Sequence, residues 1–294
     1  MDAAVQCALN VTTAGTHDAR DLCLTIAVAA VVCAVFGNEG MEVAGPLKAI
    51  FGSNLAAKRV GMGKETENLD HAVRNCVNCV TADDCLAVRL RHLEVDGVLV
   101  RDEVVGNCHS ALLAGTQSIC TTLTGALAHM AEHPQQQQEE ESKRNSRAIV
   151  TEALRILPPV GSLPRCPVRG SNSEINSALR MVVEEGDMVN VDLLALAHAS
   201  CNIESTWKFC PGRSQGSAAP WGLGDRHCPA GTLSVMCISA VLEALSASRL
   251  RWTLANDEDR VGPIGTSGWM ASVCYQPTLV YPRPLLLCFT IASK

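Results

Sequence analysis

The distribution of apolar positions along the chain predicts a mainly helical protein. Helical stretches are predicted where apolar residues recur with helical spacing and a glycine or proline stops the run. The longest ends before His133-Pro134, because a residue that precedes proline is disfavoured in helical conformation. The predicted helices cover residues 21–36, 104–132, 149–157 and 229–247.

The remaining segments predict turns and short extended pieces. Residues 135–147 form a polar run, which we interpret as an exposed helix face with a connecting loop. Residues 161–216 are rich in Gly, Pro, Ser and Asn, and the C-terminal part is predicted as strands and loops. The sequence contains no internal repeat and no flexible linker. We therefore predict one domain over residues 1–294, mainly α with a minor β-sheet.

Composition excludes some classes of protein. Of the 294 residues, 47% are hydrophobic and 18% charged, which favours a globular core over a disordered chain. The net charge of -6 and the aromatic content of 3% argue against a nucleic-acid-binding protein.

The cysteines and the N-terminal sequence favour an intracellular setting. The 15 cysteines cannot all pair, and no basic segment precedes an apolar core at the N-terminus. We expect mostly free thiols in a reducing compartment. The longest apolar run, residues 24–36, is shorter than a membrane-spanning helix needs. These features predict a soluble, cytoplasmic protein.

The stretch 221–230, WGLGDRHCPA, carries the strongest chemical signal. Gly222 and Gly224 permit the tight turns that bring Cys228 close to a bound group. A helix predicted to start just after Cys228 would place its positive dipole end near a thiolate. Considered alone, Cys228 is also compatible with one structural cysteine among many.

This stretch resembles the cysteine-ligand loop of the cytochromes P450, F-G-x-G-x-R/H-x-C-x-G/A. Gly222, Gly224, Arg226, Cys228 and Ala230 occupy the motif positions, while tryptophan replaces phenylalanine at residue 221. Three other segments resemble the family in the expected order. They are EALR over 152–155 (E-x-x-R), FCPGR over 209–213 (F-x-P-x-R) and LAGTQS over 113–118, on the helix that crosses the distal haem face.

The resemblance covers roughly residues 21–280 and implies a cytochrome P450 fold that lacks its N-terminal part. It implies haem b (iron protoporphyrin IX), with Cys228 as the axial iron ligand and Arg226 and Arg165 at the propionates. Without the family context, Arg165 is equally compatible with an ordinary surface arginine. Residues 160–163 would line the substrate pocket. The implied cofactor-binding loop further includes Trp221, Gly222 and Gly224, and the implied buried charge network consists of Glu152, Arg155 and Arg213.

The implied oxygen site departs from the family pattern. Gly115, Gln117 and Ser118 are expected to line it, and the family's A-G-x-D/E-T pattern lets the helix widen locally there. Gln117 and Ser118 occupy the positions of the usual acid and threonine. A serine hydroxyl still donates a hydrogen bond, but an amide cannot relay a proton as a carboxylate can.

The resemblance predicts a monooxygenase that inserts one oxygen atom from O2 into a small organic substrate. Its electrons would come from NAD(P)H through a ferredoxin- or flavodoxin-type partner. Two alternatives remain open: a haem-thiolate peroxygenase or isomerase, and a non-catalytic remnant of the fold. A zinc site at Cys76, Cys79, Cys85 and His71 is a weaker alternative, because structural zinc usually takes two well-spaced ligand pairs.

Overall fold

The computed structural model describes residues 1–52, 63–166, 183–199, 206–213, 219–256, 259, 274–275, 279–280 and 284–292. Nine α-helices form within these residues, joined in places by short 3-10 turns. The helices are α1 (Asp2–Val11), α2 (Ala19–Phe36), α3 (Ala44–Gly52), α4 (Gly63–Cys79), α5 (Leu86–Val95), α6 (Arg101–Glu132), α7 (Glu139–Ile156), α8 (Leu193–Ala199) and α9 (Gly231–Ala247).

Seven short strands form three small antiparallel sheets within the described residues. The largest sheet has the order β1 (Gly15–Asp18), β7 (Leu286–Ile291), β4 (Leu250–Leu254). The other two pair β2 (Ser162–Arg165) with β3 (Val189–Asp192), and β5 (Cys274–Tyr275) with β6 (Leu279–Val280). The predicted fold class, mainly α with minor sheet, is confirmed.

The core is built around α2 and α6. The α2 helix begins at Asp18, whose carboxylate accepts a 2.8 Å hydrogen bond from the backbone N–H of Arg20. Most of α2 is buried, including the large side chains of Leu24, Ile26 and Phe36. On α6 the buried fraction grows towards the C-terminal end, where residues 119–131 are all buried. Burial of this much apolar surface is the main force that holds the two helices together.

The apolar helical stretch that begins with α2 is longer than the apolar run found in the sequence. By length and mean hydropathy, Ala19–Gly52 could cross a membrane, whereas the apolar run found in the sequence covered only residues 24–36. In the structure 67% of the apolar window is buried inside the protein, which is the environment of a core helix.

A buried amide joins the C-terminal end of α6 to the largest sheet. The side-chain amide of Gln137 donates hydrogen bonds to the backbone oxygens of Met130 and Trp252, at 2.8 and 2.7 Å. Its carbonyl accepts the backbone N–H of Trp252 at 2.8 Å, and the Trp252 indole donates to the Leu127 oxygen at 3.0 Å. These bonds satisfy polar groups that are cut off from water, so they fix where β4 lies against α6.

Several element predictions need correction. The polar run 135–147 and the predicted helix 149–157 form largely one continuous helix, α7, in which the polar stretch is the first half. The helix α8 lies in a region predicted as extended. The helices α1, α3, α4 and α5 were not among the predicted elements. The predictions for α2, α6 and α9 are correct within three residues at each end.

Candidate functional site

The loop that carries Cys228 closes on itself just before α9. Gly222 and Gly224 have φ angles of +73° and +72°, in the left-handed region that favours glycine. The backbone N–H of Cys228 donates to the Trp221 oxygen at 2.8 Å, and that of His227 donates to the Gly224 oxygen at 3.0 Å. The predicted tight turns are therefore present, and they hold the half-buried Cys228 side chain beside the start of α9.

A cavity of about 330 Å³ adjoins Cys228. One wall is the Trp221 ring, which packs on the start of α9: a Cβ at Gly231 would lie only 3.1 Å from the ring. The loop and α9 provide most of the lining, and α7 contributes one arginine. The lining residues are Arg147, Trp221, His227, Cys228, Pro229, Gly231, Thr232, Val235 and Met236.

Glu152 and Arg155 form a buried ion pair on α7. Arg155 Nε and Nη2 donate to the two carboxylate oxygens of Glu152 at 2.8 and 3.0 Å, and the side chains of Arg155 and Glu152 are 2% and 0% exposed. Glu152 also accepts the backbone N–H of Cys210 at 3.1 Å and Arg213 Nε at 3.3 Å. Arg213 in turn donates to the Lys208 oxygen at 3.0 Å. The structure thus brings together the three charges that the motifs singled out.

The proposed oxygen-site residues lie in the middle of α6. A Cβ at Gly115 would lie 3.2 and 3.3 Å from the two γ-methyls of Val31, so Gly115 allows α6 to approach α2 closely. Gln117 is buried, and its amide donates to Thr121 Oγ1 at 3.4 Å. Ser118 is half-buried, and its backbone oxygen accepts the Thr122 hydroxyl at 2.8 Å.

The expected local widening of this helix is not observed. All residues of Arg101–Glu132 are described, and they form a regular α-helix throughout. Close packing on Val31 at Gly115 and the bond within the helix from Gln117 are both compatible with an unbroken helix.

Arg165 and Arg226 are both exposed and lie on different elements. Arg165 ends β2, where it pairs with Val189, and its guanidinium donates to the Pro164 oxygen at 2.8 Å. Arg226 ends the 3-10 turn Gly224–Arg226. In the described part of the chain, neither arginine has a carboxylate within ion-pair distance.

The strand that bears Arg165 contacts the cysteine loop. A Cβ at Gly222 would lie 3.3 Å from Leu163 Cδ1, so the β2 side chain packs directly against the loop backbone. Leu163 belongs to the predicted substrate-lining segment, residues 160–163. The contact brings that segment beside the loop, whereas its role towards a substrate stays a prediction.

No family model matches the sequence, and no curated protein matches it. Solved structures do match. Cytochrome P450 CYP109Q5 from Chondromyces apiculatus is 18% identical with a TM-score of 0.72, over 100% of this chain and 71% of that one. This chain has the cytochrome P450 fold.

Two other solved structures give the same result. A six-coordinated cytochrome P450 from Thermus thermophilus is 18% identical with a TM-score of 0.66, over 98% of this chain and 74% of that one. Mycobacterium smegmatis CYP164A2 with econazole bound is 19% identical with a TM-score of 0.64, over 97% of this chain and 70% of that one. At these identities the similarity establishes the fold alone.

The P450 fold implies a haem, and the residues present fit one. A thiol suited to iron ligation lies half-buried beside a cavity, at the end of a loop with left-handed glycines. Two arginines, Arg165 and Arg226, have no acidic partner among the described residues and are chemically suited to carboxylates such as propionates. On the exposed face of α6, Leu113 and Ala114 offer apolar surface.

The cysteines weighed as zinc ligands have other surroundings. Cys76 on α4 donates to Glu42 Oε1 at 3.2 Å, Cys79 is exposed, and Cys85 is the N-cap of α5. Within the described residues no three His, Cys, Asp or Glu side chains are grouped to hold a metal ion. The thirteen cysteines whose side chains are described are free thiols.

Proposed function

We propose that the chain binds haem b through the thiolate of Cys228 and acts as an oxidoreductase of the cytochrome P450 type. The reaction is insertion of one oxygen atom from O2 into a small organic substrate. The observation that carries this proposal is the Cys228 loop, with left-handed glycines at 222 and 224 and a backbone bond from Cys228 to Trp221. A haem bound to a thiolate supplies dioxygen activation.

Three residues of the loop, together with Arg165 on β2, would hold the cofactor. Cys228 would supply the sulfur that binds the iron, and α9 begins shortly after it, at Gly231. Trp221 forms an apolar wall beside the sulfur and packs on Gly231. Arg226 and Arg165 supply the positive charge that pairs with propionates.

The Glu152 network positions the segment that leads into the loop. Glu152 binds the backbone of Cys210 and the side chain of Arg213, and Arg155 fixes the Glu152 carboxylate in place. Because Glu152 is fully buried, these bonds are not exchanged for bonds to water. We propose that this network fixes the position of segment 206–213, which precedes the Cys228 loop.

On α6, the Ser118 hydroxyl would be available as a hydrogen-bond donor in the oxygen site, next to Gln117 and Gly115. Electrons would be delivered from NAD(P)H by a ferredoxin- or flavodoxin-type partner. We further propose a single domain over residues 1–294 and a cytoplasmic location.

One observation favours a second candidate, a haem-thiolate peroxygenase or isomerase. Gln117 occupies the position of the family's acid, and its amide is bonded to Thr121. An amide neither gives nor takes a proton at neutral pH. Reactions that start from peroxide, or that rearrange a substrate, need less proton delivery than reduction of dioxygen does.

The test is the absorption spectrum of the reduced, carbon-monoxide-bound protein after haem is supplied. A strongly red-shifted Soret band is expected in the wild-type chain and in Cys79→Ala, which removes an exposed thiol on α4. The band should be lost in Cys228→Ala. No haem uptake by a folded chain, or a spectrum that Cys228→Ala leaves unchanged, would refute Cys228 as the ligand. Turnover with peroxide alone, compared with turnover with NAD(P)H and a redox partner, then separates the two candidates.

A further inference from the structure

The segment 206–213 precedes the Cys228 loop and is held from two sides. From α7, Glu152 binds the Cys210 backbone and the Arg213 side chain. From α6, the ring of His129 stacks on Phe209 with a centroid distance of 4.4 Å and an interplanar angle of 8°. His133, the residue that caps the C-terminal end of α6, also contacts the Phe209 ring, at 5.6 Å and 52°.

His129 is buried without hydrogen bonds on its ring. Its exposed fraction is 1%, and neither ring nitrogen has a hydrogen-bond partner in the described part of the structure. Arg155 Nη1, in the same region, is also buried and without a partner there. A ring in this setting contributes packing on Phe209 and is suited to the neutral state only, because burial penalises its charged form.

The charged groups around His129 oppose a proton on its ring. His133 from α6 and Arg155 from α7 are both sources of positive charge. The nearby carboxylate, Glu152, is already bound by Arg155 and Arg213. Burial first, then His133 and Arg155, lower the pKa of His129 to about 3.

We propose that His129 is an acid-sensitive latch on segment 206–213. The neutral ring holds Phe209, and proton uptake requires the ring to leave its buried stack, which frees the segment that leads to Cys228. This inference goes beyond the proposed function and does not depend on it, because the latch consists of protein side chains alone. It predicts that mild acid opens segment 206–213 locally, before the whole chain unfolds.

The direction and size of the pH effect follow from the difference in proton affinity. In the closed state the His129 ring is stacked on Phe209, and its pKa is lower than the ordinary value of 6.5. The closed state is therefore favoured above pH 6.5 and is progressively lost as the pH falls below that value. At pH 5 the open, solvated ring is mostly protonated and the closed ring is not. The equilibrium constant for opening should therefore be about 30-fold larger at pH 5 than at pH 7.5.

A second histidine could produce a similar effect and must be separated from His129. His198 on α8 stacks on Trp207 at 3.9 Å and 24°, and its Nε2 lies 3.1 Å from the Ile156 oxygen. Burial is also the largest cause that lowers the pKa of His198. Unlike His129, it keeps a hydrogen bond through one ring nitrogen and remains half-buried.

The test is hydrogen exchange of the Cys210 and Arg213 backbone amides in the full chain at pH 7.5 and pH 5, corrected for the intrinsic pH dependence of exchange. In the wild-type chain, with and without haem, the protection factors of these amides should be about 30-fold lower at pH 5 than at pH 7.5. His129→Phe keeps an aromatic ring on Phe209 but cannot titrate, so its protection should not depend on pH. His109→Gln, a histidine elsewhere on α6, should behave as wild type.

Two outcomes would overturn the proposal: no local loss in the wild-type chain, or a loss that persists in His129→Phe and disappears in His198→Phe. If His129→Phe does not fold, NMR titration of the His129 ring in the wild-type chain decides. A ring that titrates near 6.5 in the folded state would refute the latch. The carbon-monoxide spectrum is a separate readout, so loss of the proposed haem ligation would leave this test intact.

Discussion

Replacing Glu152 with glutamine tests the buried network most directly, because the change removes a charge with almost no change in shape. Oε2 of Glu152 accepts Arg155 Nε, while Oε1 accepts Arg155 Nη2, the Cys210 N–H and Arg213 Nε. A glutamine offers one oxygen and one NH2 group. Whichever way the amide is turned, its NH2 faces an N–H of Arg155, and two donors then oppose each other.

The expected cost is large because both partners are buried. Glu152 and Arg155 are 0% and 2% exposed, so water cannot replace the lost bonds. Removing one member of a buried ion pair leaves an uncompensated charge, which typically costs about 3–5 kcal/mol. We expect Glu152→Gln to lower the free energy of unfolding by about 3 kcal/mol, since the amide oxygen retains part of the bonding.

The assay is urea denaturation followed by far-UV circular dichroism, with Asp70→Asn as the matched control. Asp70 also pairs with an arginine on its own helix, at 2.8 Å from Arg74, but the side chains of Asp70 and Arg74 are 43% and 48% exposed. Because water screens an exposed pair, its loss should destabilise the chain far less than loss of the buried pair. If the two variants lose similar amounts of stability, the reasoning from burial is wrong.

Two other predictions concern packing and thiol chemistry. Gly115→Ala should lower stability by about 1 kcal/mol because its methyl would crowd Val31, whereas Gly106→Ala, with nothing within 4 Å, should raise it by up to about 1 kcal/mol; urea unfolding compares them. Iodoacetamide should modify Cys79 at least about tenfold faster than Cys76 in the folded chain. Burial and then Glu42 raise the pKa of Cys76 to about 12, while Cys79 is exposed; equal rates by peptide mass spectrometry would contradict this.

The sequence predicted the site best where a motif fixes the spacing between its residues. The turn at Gly222 and Gly224 follows from glycine's freedom at positive φ, and it is present. Glu152 and Arg155 are one helical turn apart, so their contact could be predicted from spacing. Arg213 is 61 residues from Glu152, and only the resemblance could place it there.

Other features could not be predicted because their signals are weak or non-local. The α4 helix is an exception, because its buried residues recur at helical spacing along one face and the prediction missed that pattern; they are Leu69, Ala72, Val73, Cys76 and Val77. The stack of His129 on Phe209 joins residues from distant parts of the chain. A buried histidine gives no signal in a sequence, and its neighbours decide whether it packs, titrates or binds a ligand.

The central helix also narrows the chemistry that this P450 fold can support. Between Glu103 and Glu132 the sequence of α6 contains no carboxylate, and the Gln117 amide is bonded to Thr121 within the helix. If the chain reduces dioxygen as we propose, the middle of α6 offers no carboxylate to deliver the protons, which would then come from other groups or from solvent. Peroxide already carries the two electrons and two protons that separate it from dioxygen. If the proposed haem chemistry is correct, we therefore expect a high ratio of peroxide-supported to reductase-supported turnover, whichever substrate the site accepts.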